Sequence, residues 1–206
     1  THPQFFGNHS LRVAAHRELL RGVDLVLAVG MDTFEELFYW GDVVLGPATK
    51  LVHIDPIPGR VGRSEPTDVG IVSHCGMALA ELIQVVRSHL PAGAELAMQT
   101  RREEVKQDAA QNRRSYEESV VEKWGTTPMS PARMMSELAN ALPANAMVVD
   151  DSISHRAAMR HYFHGERRGD IVGVRGGSIG GGIGATMGIQ CANPNRPVVG
   201  VIGDGS

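Results

Sequence analysis

Asp24-Leu-Val-Leu-Ala-Val-Gly30 is a short apolar run closed by glycine, and Lys50-Leu-Val-His-Ile-Asp55 repeats it before Pro56 and Pro58. Runs this short, apolar at successive positions, read as strands buried on both faces, as in a parallel sheet. Proline stops the second run because it has no N–H to donate and a fixed φ. Working outward, Leu11 to Leu20 has helical spacing, with Leu11, Ala15, Leu19 and Leu20 on one side. Asp68 to Ser73 reads as a third strand, and a helix from about Gly76 to Ser88 runs up to Pro91. Strands alternating with helices imply a parallel sheet covered by helices.

From residue 92 to 128 the character changes. Arg101 to Lys123 is densely charged, yet Val105, Ala109, Tyr116, Val120 and Trp124 form a narrow apolar stripe at helical spacing. A surface helix linking two domains is expected. A second alternating block opens at Ser130-Pro131, a serine cap with proline in the first helical position. A helix to about Leu142 follows, then a strand (Ala146 to Asp150), a helix (about Ser154 to Phe163) and a strand (Asp170 to Val174). A glycine-rich turn and helix (Gly176 to about Ala192) and a strand (Pro197 to Ile202) complete it. The expected fold class is α/β: two parallel-sheet, three-layer units, residues 1–90 and 129–206, joined by a helical linker over 91–128.

The bulk properties narrow the function. With 42% hydrophobic and 21% charged residues and a net charge of −3, the chain has ordinary globular composition and no basic block to draw nucleic acid or anionic lipid. No apolar run is long enough to cross a bilayer. Cys75 and Cys191 lie far apart and outside any C-x-x-C spacing, so neither a disulfide framework nor a zinc knuckle is expected, and a cytoplasmic setting is. The last strand runs directly into Ser206 with no crossover element behind it, and the first residue is threonine. The reading is therefore a segment of a longer chain.

Three patches fall at the carboxyl ends of the second block's strands: Asp150-Asp-Ser-Ile-Ser154, Arg175-Gly-Gly-Ser-Ile-Gly-Gly-Gly182 and Gly203-Asp-Gly-Ser206. Ligands of open α/β sheets bind at those ends. Hydroxyls and bare N–H groups at helix starts suit phosphate oxygens, and a carboxylate, Asp204, suits a hard cation such as Mg²⁺ bridging them. Singly, each patch has a plainer account: Asp-Gly is a common turn, the glycines allow tight strand-to-helix packing, and Ser154 is a natural N-cap. A different class fits the same residues. Gly180-x-Gly182-x-x-Ala185 opens a helix after a strand and Asp204 ends the next strand, the dinucleotide fingerprint of an NAD(P)-binding oxidoreductase. The extra glycines, the Gly-Ser after the acid and the unused third patch weigh against it. A Walker A loop is excluded, because no Gly-Lys-Ser/Thr follows the glycines.

Ala192-Asn-Pro-Asn-Arg-Pro-Val-Val-Gly-Val-Ile-Gly-Asp-Gly-Ser206 closely resembles the thiamine-diphosphate-dependent enzymes, being most similar to benzoylformate decarboxylases, with acetolactate synthases as cousins. Thr1-His-Pro-Gln-Phe-Phe-Gly7, Val52-His-Ile-Asp-Pro56 and Val149-Asp-Asp-Ser-Ile-Ser154 extend the resemblance over most of the chain. It implies a middle domain (1–90), the linker, and the N-terminal part of a diphosphate-binding domain (129–206). It implies Asp204 as Mg²⁺ ligand, with Gly203, Gly205 and Ser206 beside the diphosphate. Ser152 and Ser154 would hydrogen-bond diphosphate oxygens, Ile153 replacing the family's intervening hydroxyl. The Gly177 carbonyl, next to Ser178, would accept from the aminopyrimidine, and Ile179 would be the apolar wedge that bends the cofactor. The implied reaction is decarboxylation of a 2-oxo acid, or carboligation, with the thiazolium ring taking up the electrons left by CO₂. The resemblance further implies a homo-oligomer with sites shared between subunits and an activating glutamate in an N-terminal domain, so these residues alone are expected to be inactive. Benzoylformate decarboxylases carry an active-site histidine in the segment matching Phe34 to Asp42; Leu37 aligns there, which leaves the 2-oxo acid open. Nothing in residues 1–90 decides whether FAD, which acetolactate synthase relatives can bind in this domain, is held here.

Other candidates read as structure. His161 and His164 have i, i+3 spacing but no third ligand, so a solvated helix end is expected. His155, following Ser154, is placed for substrate contact. His2, His9 and His16 read as surface residues, Phe38 and Trp40 as packing, and Cys75 and Cys191 as small core residues.

Overall fold

In the computed structural model, which describes residues 2–7, 14–32, 44–163, 169–174 and 179–205, the two opening apolar runs lie side by side as parallel strands. β1 (Leu25–Val29) pairs with β2 (Lys50–Asp55), and β3 (Val69–Val72) pairs with the other edge of β2. The chain divides into two compact units, His9–Met98 and Gln99–Ser206 with Thr1–Asn8. Phe34, Leu37, Phe38, Trp40, Asp42, Leu11 and His9, invoked above, lie outside the described residues.

In the first unit the strand order is β1-β2-β3, a progression without reversal among the described strands. Ala28 and Leu51 are buried with Val44 and Leu45, and Leu20 of α1 (Ala14–Arg21) packs against them beside Val26. Leu19 is 39% exposed, so the inward side of α1 is carried by Leu20. α2 (Cys75–Ser88) starts one residue ahead of the expected Gly76, with its first sulfur 3.9 Å from the Ile54 carbonyl.

The second unit begins along α3 (Ala94–Val121), where Ala109 is the one buried residue. Val105, Tyr116 and Val120, with Trp124 beyond the helix, are half-buried, so the expected stripe is the least exposed line of a charged helix. α4 (Pro131–Ala141) is capped by Ser130, whose hydroxyl accepts from the Arg133 N–H at 3.3 Å. Then come β4 (Met147–Asp151), α5 (Arg156–Tyr162), β5 (Ile171–Gly173), α6 (Gly181–Ala192) and β6 (Val198–Ile202). All three strands are parallel, in the order β5-β4-β6. The chain thus steps from β4 to one neighbour and returns across it to the other.

Because crossovers between parallel strands are right-handed as a rule, two steps in opposite directions put the two crossover helices on opposite faces. Val148 is buried with Met135 of α4 and with Ala158 and Met159 of α5, while Val201, two residues along the register on that face, packs against them. On the other face Gly200 admits α6 so closely that a Cβ there would come 2.6 Å from the Thr186 hydroxyl. The result is the expected three-layer α/β unit.

Two expectations need correction. α5 starts at Arg156, with His155 in the cap position, so Ser154 is not the N-cap. Within the expected glycine-rich turn and helix, α6 itself starts at Gly181, because Gly180 holds φ +87°, a left-handed conformation that the helix cannot include. Cys191 is exposed rather than a core residue, since it continues the outward stripe of Ile183 (54% exposed) and Met187 (65%) along α6. Both cysteines are free, and no described helix is long and apolar enough to cross a membrane.

Candidate functional site

β4 ends in two carboxylates, and the two-residue period of a strand sends them to opposite faces. Asp150 Oδ1 accepts from both the backbone N–H (3.0 Å) and the hydroxyl (2.6 Å) of Ser152. The Arg156 guanidinium closes this turn: its Nε donates to the Ser152 carbonyl at 3.0 Å and lies 4.0 Å from Asp150 Oδ2. On the other face Asp151 Oδ2 accepts the N–H of Gly182 at 3.1 Å, in the first turn of α6. A Cβ on residue 182 would lie 2.5 Å from that oxygen, so glycine is required there by the carboxylate. Asp150, Asp151 and Ser152 are all buried.

The end of β6 lies at the same level. Asp151 is in register with Ile202, so the Gly203-Asp204-Gly205 turn starts beside Ser152. Asp204 and Gly205 are exposed, and among the described residues nothing hydrogen-bonds the Asp204 carboxylate or the N–H groups of Asp204 and Gly205. Because the chain reverses direction at β4, the ends of β4 and β6 flank a topological switch point, where open α/β sheets bind ligands.

Of the site residues expected from the sequence, Ser154, Gly203, Asp204 and Gly205 lie on these two strand ends, and Ile179 immediately precedes Gly180 at the approach to α6. Ile179 is 82% exposed and Ile153 is 74% exposed, the two most exposed large apolar side chains of the described residues. Gly177, Ser178 and Ser206 lie outside the described residues. Ser152 is 4% exposed, and its hydroxyl donates to Asp150 Oδ1 and braces the turn. Asp150 and Asp151 belong to the first strand-end patch, but neither they nor Arg156 carry a role of their own in the reading from sequence. Adjacent acids ending an apolar strand were the available signal, since each must find a partner on its own face.

His161 belongs elsewhere. Its ring stacks on Tyr116 (centroids 4.1 Å apart) and its Nε2 is 3.4 Å from Glu117 Oε1, joining α5 to α3. Burial holds its pKa below the usual histidine value, with Glu117 pulling the other way. Burial likewise raises the Tyr116 and Tyr162 hydroxyls above the ordinary tyrosine value. An apolar recess of about 320 Å³ lies beside this cluster, lined by Glu117, Val121, Trp124 and Tyr162. None of these is a strand-end residue, so this recess is not where the polar chemistry converges. No described cluster of three or more His, Cys, Asp or Glu residues could hold a metal by itself, and His164 lies outside the described residues.

Residues 1–82 match the family described as "Thiamine pyrophosphate enzyme, central domain". The benzoylformate decarboxylase of Pseudomonas aeruginosa is 28% identical over 206 residues, covering 100% of this chain and 35% of that protein. The glyoxylate carboligase of Escherichia coli is 32% identical over 158 residues, covering 75% of this chain and 25% of that protein. The chain therefore spans about a third or less of the length of these relatives. Among solved structures, the thiamine diphosphate-dependent 4-hydroxybenzoylformate decarboxylase of Rhodococcus jostii superposes with TM-score 0.63 at 22% identity, covering 94% of this chain and 33% of that one. That likeness extends the shared fold across both units, and residues 1–82 are matched to the central domain of the thiamine pyrophosphate enzymes.

Proposed function

We propose that the protein carrying this chain is a thiamine-diphosphate- and Mg²⁺-dependent enzyme that decarboxylates a 2-oxo acid. The observation that carries the proposal is the exposed Gly203-Asp204-Gly205 turn at the switch point between β4 and β6. The donor chemistry there fits a metal-bound diphosphate. Mg²⁺ is held in such sites by one or two carboxylates, with phosphate oxygens and water completing its shell. Asp204 supplies one carboxylate that no described residue engages, and the neighbouring N–H groups have no acceptor of their own. Asp204 would hold the metal; Gly203, Gly205 and Ser206, with the exposed Ser154, would meet the diphosphate. Gly177 and Ser178 would line the aminopyrimidine, and Ile179 would press on the bend of the cofactor. When bound, the cofactor would supply the electron sink for the pair left on the 2-carbon of the substrate as CO₂ departs. Asp150 and Arg156 keep the β4 turn in place through Ser152.

In this reading residues 1–90 are a middle domain, 91–128 a linker and 129–206 the N-terminal part of the diphosphate-binding domain. The enzyme is cytoplasmic, and a second subunit of a homo-oligomer completes the site, so this segment alone is inactive. Carboligation is the second reading, favoured by the similarity to glyoxylate carboligase. The dinucleotide alternative loses support from Asp151. A pyrophosphate in that class sits on the N–H groups of the helix terminus, and here the Gly182 N–H already belongs to a carboxylate.

The test uses the full-length protein stripped of cofactor. CO₂ release from a panel of 2-oxo acids is measured with and without thiamine diphosphate and Mg²⁺, and products are sorted into aldehydes and acyloins. Release that requires both cofactors supports the proposal, and the product class separates its two forms. Absence of release from every acid, together with tight NAD(H) binding, would overturn it.

A further inference from the structure

The Asp151–Gly182 contact is unused by the reading above, yet it joins the strand end that carries Ser154 to the helix that follows Ile179. We infer that Asp151 is a positioning residue of the diphosphate site: it holds the first turn of α6 against β4 and keeps that helix terminus filled by a carboxylate. The inference rests on the thiamine diphosphate reading.

Several observations converge on it. Asp151 is buried and its oxygen is 3.1 Å from the Gly182 N–H. Gly182 has no room for a side chain because of that oxygen. In the same turn, a Cβ on Gly181 would come 3.0 Å from Val174, the residue just past β5, so the start of α6 is pressed onto two strand ends at once. Gly180 makes the left-handed step into the helix, and Ile179 lies immediately outside it. The direction in which Ile179 leaves α6 is therefore set by where Asp151 anchors Gly182. A helix terminus attracts anions through its unpaired N–H groups and its dipole. With one such N–H answered from within the chain, an incoming diphosphate is left the turn at the end of β6.

The test again uses the full-length protein. Thiamine diphosphate affinity is measured by calorimetry at saturating Mg²⁺ for the wild type, Asp151→Asn, Asp151→Glu and Asp151→Ala. The temperature is one at which circular dichroism shows each cofactor-free protein folded. Asparagine keeps an acceptor at the same reach, so its affinity should stay within about threefold of wild type. Alanine lacks the acceptor and glutamate places it one methylene too far, so each should bind about tenfold more weakly, the scale of one hydrogen bond to a charged group. Should the alanine variant fail to fold, the contrast between asparagine and glutamate decides the question. Equal affinity in all variants, or a lower thermal midpoint with unchanged affinity, would overturn the inference. So would an asparagine variant as weak as alanine, which would assign the effect to charge. A wild type that takes up no thiamine diphosphate would break the functional reading itself, and the inference with it.

Discussion

The two sheets of this chain are built alike and end differently. Each has three described parallel strands, and the central one of each, β2 and β4, ends in aspartate. In the first, the described strands run in sequence order, and Asp55 is wholly buried. Its Oδ1 caps the Ile57 N–H at 2.7 Å, and its Oδ2 lies 3.9 Å from Arg60, which also pairs with Asp32 at 3.0 Å. That acid fixes the turn that follows its own strand. In the second sheet the chain reverses at β4, and Asp150 and Asp151 grip separate elements on separate faces. Their grip leaves Ile153, Ser154 and Asp204 exposed around the switch point. The same secondary structure thus yields a sealed strand end in one unit and an open one in the other. Strand order, with the partners it brings to the terminal acid, makes the difference.

The comparison breaks most readily at Gly182. Gly182→Ala forces a methyl onto the Asp151 carboxylate and should cost about 2–3 kcal/mol of stability, as overpacking a closed site does. Hydrogen exchange of the α6 amides should report the loss locally. Gly184 is the control in the same helix: a Cβ there meets nothing within 4 Å. Gly184→Ala should instead stabilise by about 0.5–1 kcal/mol, seen as a higher thermal midpoint.

Asp55→Ala tests the sealed end. It should destabilise the protein by about 2 kcal/mol, because it removes the acceptor of a buried N–H and the buried partner of Arg60. It should leave thiamine diphosphate affinity unchanged in calorimetry. Weaker cofactor binding would mean that the first strand end is not confined to structure.

Much of the fold follows from local pattern. β2 and β4 are runs buried on both sides, and the stripe from Val105 to Trp124 marks the inward line of α3. Asp204 stands out only together with the other two strand-end patches, because Asp-Gly by itself is also a common turn. What the sequence withholds depends on non-local pairing. The order β5-β4-β6 cannot be read from one chain, and without it nothing joins Asp151 to Gly182, 31 positions away. The glycine run leaves open where turn gives way to helix, because glycine serves both, and Gly180 takes the left-handed step. A serine hydroxyl suits phosphate and carboxylate alike, so the sequence does not disclose that Ser152 donates to its neighbour Asp150.

The smallest expected effect belongs to His161. Its folded pKa lies below the ordinary value near 6.5, so on acidification the unfolded chain takes up this proton first. Its stabilising contact is fully present above about pH 6.5 and is lost as pH falls through the folded value. The groups facing it are Glu117, Arg113, Tyr116 and Tyr162, with Glu117 opposing the shift. His161→Phe keeps an aromatic ring against Tyr116 and removes the titration. Its thermal midpoint should fall less than that of wild type between about pH 7.5 and about pH 5.5.

Asp204, at the open end of β6, is the proposed metal ligand of the diphosphate site. Calorimetric titration of full-length wild type and Asp204→Asn with thiamine diphosphate, with and without Mg²⁺, tests that role directly. Wild type should bind only when Mg²⁺ is present, and Asp204→Asn should lose about a hundredfold or more in affinity, since a neutral amide is a poor ligand for a hard cation. Binding by Asp204→Asn as tight and as Mg²⁺-dependent as wild type would contradict the account.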